Sequence, residues 1–163
     1  MTIGICIHIP GKGAVLAHDS RATTEDGAIL SDDFNKHLCQ GSLSLIVAGY
    51  PAILDIFKAK KIKSYPKLRE FVFSKSWEYE YTLAAYDSVL DQIFWLESNG
   101  TELKPKDHVV IGTGSAYSLG VLHVMPSDTI EEAKEAAKWA VSAAIKHNTY
   151  CGGGTVILTR SRR

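Results

Sequence analysis

The sequence lacks most features that would announce a chemistry at once. Three cysteines, Cys6, Cys39 and Cys151, are an odd number at no metal or redox spacing, which excludes a disulfide framework and a thiolate zinc site. Neither charge is in excess: eighteen Lys and Arg balance eighteen Asp and Glu, so no nucleic acid and no acidic membrane surface is expected as a partner. No apolar run is long enough to span a bilayer; the longest, residues 43–54, is interrupted by Ser44 and Pro51. The start Met1-Thr2-Ile3-Gly4-Ile5 has neither the basic nor the apolar region of a secretory signal, so a cytoplasmic location is expected. Repeats, linkers and low-complexity tracts are missing, and residues 1–163 read as one domain with no room for a second module such as an ATPase. The six histidines do not pair at ligand spacing, and the glycine clusters at 112–114 and 152–154 match neither a P-loop nor a dinucleotide fingerprint. No metal and no cofactor is expected.

What the sequence does have is periodicity. Ile3, Ile5, Ile7 and Ile9 alternate with Gly4, Cys6 and His8, a period-two pattern that predicts a strand. Pro10 to Gly13 turns the chain, and 14–17 begins a second strand of a hairpin. Further strands are predicted at 42–48, 81–86, 92–97, 108–112 and 155–159, with Asn99-Gly100 as a hairpin turn. Helices are predicted after Pro51, from Pro66, over 115–125 and from Ile130, the last opened by a Thr129/Glu132 capping box. Its apolar stripe runs through Ala133, Ala137, Ala140, Val141 and Ala144. Strands, two helices, strands, two helices and a strand suit helices covering paired antiparallel sheets better than a parallel sheet.

Thr2 is the first candidate for chemistry. Removal of Met1 is expected because the next side chain is small, and it would leave a hydroxyl beside a free α-amine. An α-amine has a pKa of ~7.7–8.0, so part of it is neutral at physiological pH and able to act as a base. Threonine with its own amine is an activated nucleophile. Asp19, at a strand end, could orient Lys36, whose ammonium would favour a nearby alkoxide. The alternative for that pair is a surface ion pair of little energetic value. Gly49 could aim its N–H at a developing oxyanion or could simply end a strand. His8 and His18 are the histidines expected nearest the site, with structural roles. Cys6 and Cys151 could approach the same region or be small buried thiols. The basic stretches 58–63 and 160–163 read as solvated surface.

Taken together, the hairpin, Asp19-Ser20-Arg21, Lys36, Ala48-Gly49, Gly112-Thr113-Gly114 and Tyr150-Cys151-Gly152-Gly153 resemble the proteasome β-type N-terminal nucleophile hydrolases. The start is most similar to the bacterial Anbu branch, with the HslV peptidase a further relative. The resemblance implies an α+β fold, a four-layer αββα sandwich of two antiparallel sheets flanked by helices. It implies Thr2 as nucleophile, its amine as base, Lys36 tuning the hydroxyl, Asp19 and Arg21 in support, and Gly49 N–H in the oxyanion hole. Thr113 falls where a serine near the terminal amine is usual. Asn148 stands where the family carries an aspartate and Cys151 where it carries a serine, so weakened or altered activity is expected. Substrate is expected to lie extended between Ala22-Thr23 and the Gly49-Tyr50 segment, by strand addition. The resemblance further implies peptide or unfolded protein as substrate, a homo-oligomeric ring or spiral, and a separate ATP-dependent unfoldase for folded targets. No pro-segment before Thr2 is expected. Two other readings stay open: a catalytically impaired structural member of the same fold, and a small-molecule amidase.

Overall fold

The isoleucines of the first strand bury on one face, and that face must be covered. The computed structural model describes residues 2–24 and 26–163. β1 (Ile3–Ile9) and β2 (Gly13–Asp19) pair as the predicted hairpin, in the register Gly4↔His18 through Ile9↔Gly13. β10 (His108–Gly112) adds to β1 and β11 (Thr155–Ser161) to β2, giving a four-stranded antiparallel sheet, here called the hairpin sheet. A second sheet has five strands in chain order: β5 (His37–Gln40), β6 (Leu43–Gly49), β7 (Tyr81–Asp87), β8 (Gln92–Glu97) and β9 (Glu102–Leu103). Between β2 and β5 lies a small two-stranded ribbon, β3 (Ala22–Thr23) with β4 (Ile29–Ser31).

Three buried clusters correspond to three interfaces between four layers. In the hairpin sheet, Ile3, Ile5, Ile7, Val15 and Ala17 pack under α4 (Ile130–His147), and the alanines at 133, 137, 140 and 144 let that helix approach closely. α3 (Ser115–Val124) lies beside it. Leu45, Val47, Leu83 and Phe94 face α1 (Ile53–Ala59) and α2 (Tyr65–Phe73) across the other outer interface. The opposite faces of the two sheets meet through Cys6, Ala14, Leu16, Ile46, Ala84, Tyr86 and Ile111. The fold is thus the αββα sandwich. Leu16 is fully buried between the sheets, and Leu16→Ala would cost about 2–5 kcal/mol.

The capping box is formed: Thr129 Oγ1 accepts from Glu132 N–H while the Glu132 carboxylate accepts from Thr129 N–H. Pro66 lies in the first turn of α2, where its missing N–H costs nothing. Four strands were not anticipated: β3, β4, β5 and β9, each two to four residues long. Segments so short present no periodicity to detect. Among the described residues, no helix is long and apolar enough to cross a membrane.

Candidate active site

The β1–β2 register lays Thr2 and Ile3 alongside the end of β2, where the chain carries Asp19. Thr2 Oγ1 donates to Asp19 Oδ1 at 2.5 Å, and Lys36 Nζ donates to the same Thr2 oxygen. Lys36 Nζ also reaches Asp19 Oδ1 at 2.7 Å. The carboxylate is fixed further by Ile3 N–H on Oδ1 and by Gly152 N–H on Oδ2, each at 3.0 Å. Asp19 is fully buried, and Thr2 and Lys36 are 2% and 4% exposed. An ion pair so deeply buried is tolerable only because nearly every lone pair and proton has a partner.

Lys36 comes from the other sheet. It immediately precedes β5, and its carbonyl accepts from Val47 N–H at 2.9 Å, which anchors it to β6. Burial pushes the Lys36 ammonium below its usual range, and Asp19 pulls it part of the way back. The result is a cation pressed against a hydroxyl in a weakly screened setting. There it stabilises negative charge on that oxygen far more than it could in water.

Gly49 closes β6 with φ +96°, and a side chain there would meet Glu80 O at 2.5 Å. Gly49 and Tyr81 face each other in β6–β7, while Tyr50 N–H donates to Glu80 O. Gly49 and Tyr81 are therefore a non-hydrogen-bonded pair, and the Gly49 N–H points away from β7, on the side of Lys36. Gly112, at φ +93°, is a position where a Cβ would lie 2.2 Å from Thr2 O, so only glycine lets β10 sit this close to Thr2.

An open cleft of about 1370 Å³ runs past these residues. Thr2, Thr23, Ala48, Gly49, Tyr50 and Thr113 line it, and Ala22 sits just behind Thr23, paired with Ser31. The far wall is the segment 75–80 between α2 and β7, where Tyr79 stacks on Tyr50 at 4.3 Å between ring centres. Sequence reading missed that wall, although its aromatic-acidic run Trp77-Glu78-Tyr79-Glu80 directly before a strand was a usable signal.

The remaining candidates fall at graded distances. Cys151 is buried and hydrogen-bonds Thr113; burial and Asp19 push its thiol up to about 11, so it is uncharged at neutral pH. Asn148 caps α4 through its backbone N–H, which donates to Ala144 O, and its side chain turns outward: Nδ2 donates to Thr113 O and Oδ1 accepts from Tyr150 N–H. Arg21 is expected to support the site alongside Asp19. Its guanidinium pairs with Asp32, at 2.7 and 3.3 Å, and lies against Gly152. The Arg21 backbone N–H donates to Gly152 O at 3.0 Å and the Gly152 N–H reaches the Asp19 carboxylate, while Asp32 went unnoticed in the sequence. One expectation is corrected, and one open choice is decided. His8 sits at the opposite end of β1 on Asp91, because the strand carries it roughly 16 Å along at about 3.3 Å per residue. Cys6 is enclosed between the sheets, since it faces away from the helix layer that holds Cys151.

Comparison with known proteins gives two results. The family described as Proteasome subunit matches residues 75–159, about half of the chain. Among solved structures, Thiobacillus denitrificans BPH in complex with epoxomicin is similar in fold, with a TM-score of 0.78 and 16% identity over 100% of both chains. No curated protein matches the chain. The family match excludes the segment holding Thr2, Asp19, Lys36 and Gly49, so their roles rest on geometry.

Proposed function

Because the chain belongs to the proteasome subunit family, we propose that it is a threonine peptidase whose nucleophile is Thr2, exposed by removal of Met1. One observation carries the reading: a buried lysine ammonium donating to Thr2 Oγ1, with Asp19 holding both groups at the edge of an open cleft. In the proposed reaction Thr2 Oγ1 attacks the scissile carbonyl carbon and its proton passes to the freed α-amine. Lys36 offsets the charge growing on the oxygen, and Gly49 N–H receives the oxyanion. Collapse breaks the C–N bond, and the α-ammonium returns the proton to the leaving amine. Water, deprotonated by the same amine, then hydrolyses the ester.

Thr23 and Gly49 both line the cleft, which supports an extended substrate added between the ribbon and the β6 end, with Ala22 and Tyr50 flanking it. Thr113, Cys151 and Asn148 support the Thr2 end through contacts among themselves, and Arg21 through Gly152. Peptides or unfolded proteins are the proposed substrates, inside a homo-oligomeric ring or spiral in the cytoplasm. A separate ATP-dependent unfoldase would supply folded targets.

Epoxomicin, the ligand of the similar BPH structure, is the probe of choice. Intact-mass spectrometry of the native protein should give a chain starting at Thr2 and one stoichiometric epoxomicin adduct, absent from Thr2→Ala. A mature mass retaining Met1, with no adduct, would favour the structural member. Hydrolysis of a non-peptide amide without cleavage of peptides would favour the amidase.

A further inference from the structure

Asp19 and Lys36 grip Thr2 from different sheets, so their relative position depends on the gap between the sheets. One polar link crosses that gap beside them. His18 directly precedes Asp19 and His37 directly follows Lys36. His18 shares its face of β2 with Ala14 and Leu16, opposite Gly4, and His37 lies opposite Ile46 of β6; both face the other sheet. Their rings meet with His18 Nε2 and His37 Nδ1 3.0 Å apart, while His18 Nδ1 is 2.8 Å from the carbonyl of Asp19. His18 is fully buried.

The partners decide the protons. A carbonyl only accepts, so His18 Nδ1 carries the hydrogen and, in the neutral ring, His18 Nε2 must accept. His37 Nδ1 must then donate. Each ring is thereby restricted to its Nδ1–H tautomer, and the chain of bonds runs from His37 through His18 to the backbone of Asp19.

We propose that His18 and His37 form a neutral strut between the sheets that positions Asp19 and Lys36 around Thr2, and that it functions only in this tautomeric order. The catalytic consequence rests on the reading of Thr2 as nucleophile; the strut does not. His18 and His37 touch no substrate and act as positioning residues. Two apolar side chains would fill the gap at lower desolvation cost but would not fix a direction. Burial pushes His18 down to about 4, with His37 and Lys36 pushing the same way and bonding to the Asp19 carbonyl opposing. His37 is lowered by burial as well. The other neighbours opposite the two rings, Gly4 of β1, Val156 of β11 and Ile46 of β6, carry no charge. A first proton can go to His37 Nε2 and leave the link intact. A proton on His18 Nε2 sets two donors face to face and breaks it.

Imidazole nitrogen NMR on the full-length protein tests the strut whatever the enzymology. Both rings should be Nδ1–H tautomers at pH 7, assigned with His18→Leu and His37→Leu; an Nε2–H tautomer for either would overturn the proposal. The rate of epoxomicin adduct formation tests the positioning. His37→Leu should slow it about 10²-fold, the penalty of a misplacement near 1 Å, with peptide affinity little changed. His37→Asn, which keeps a donor near the Nδ1 position, should recover to within about threefold of the native rate. Folded His37→Leu protein that reacts at the native rate would sink the positioning role. If the native protein forms no adduct, the nucleophile reading fails while the tautomers still decide the strut.

Discussion

The sandwich carries a clasped aspartate at each end, and the two do different things. At one end Asp19 accepts from a backbone N–H on each oxygen and from Thr2 and Lys36. At the other, Asp91 accepts from Gly11 N–H, His8 and Tyr86, joining the β1–β2 turn to the β7–β8 turn. The side chains of Asp19 and Lys36 are 0% and 5% exposed, against 13% and 10% for Asp91 and His8. The device is the same, a carboxylate tying backbone to a nitrogen-bearing side chain. Two additions turn it from a staple into a site: a hydroxyl shared with the cation, and a cleft that admits a carbonyl.

The largest way to break the contrast is Thr2→Ala. Adduct formation and peptide hydrolysis should fall by on the order of 10³-fold or more, while melting reports only the loss of two hydrogen bonds to charged groups, Asp19 and Lys36, about 1.5–3 kcal/mol each. Lys36→Met should follow. It strands the Asp19 carboxylate in the interior, so denaturant titration should show about 3–5 kcal/mol of destabilisation together with loss of the adduct.

Acid separates the ends next. Unfolded His18 takes a proton near pH 6.5, but folded His18 resists until about pH 4. As pH falls through that window the unfolded state binds the extra proton, and stability drops by on the order of 3 kcal/mol. His18→Leu should flatten the profile between those values. At the Asp91 end burial works against ionisation, but the bonds from Gly11, His8 and Tyr86 outweigh it and lower the carboxyl. That contribution is complete above the ordinary Asp range and is lost only as pH falls through the lowered value. The smallest effect is expected for Asp91→Asn, about 1 kcal/mol in denaturant titration with the adduct rate unchanged.

Long elements were legible in the sequence because each repeats its signal: four isoleucines in β1, a capping box and an alanine stripe in α4. β5 was not, since His37-Leu38-Cys39-Gln40 contains no alternation, yet it delivers Lys36 to the site. The Asp19–Lys36 pairing was legible only through family resemblance, because a separation of seventeen positions says nothing about direction in space. Arg21 shows the same limit. The resemblance gave it a supporting role beside Asp19, but Asp32, which takes its guanidinium, carried no signal in the sequence. The histidines divided on strand direction, one end of the hairpin taking His18 and the other His8.

Gly152, a contact of Asp19 separated from it by 133 positions, has a bearing on timing. Thr2 needs Lys36 from the opposite sheet, and Asp19 needs an amide that arrives just before the last strand. Such distant closures come late in folding. A nascent chain therefore carries a threonine without its cation, and its hydroxyl is no more reactive than any other. On the proposed reading of Thr2, hydrolytic power would be switched on by the completion of folding itself, which would spare the unfinished chain and its neighbours from attack.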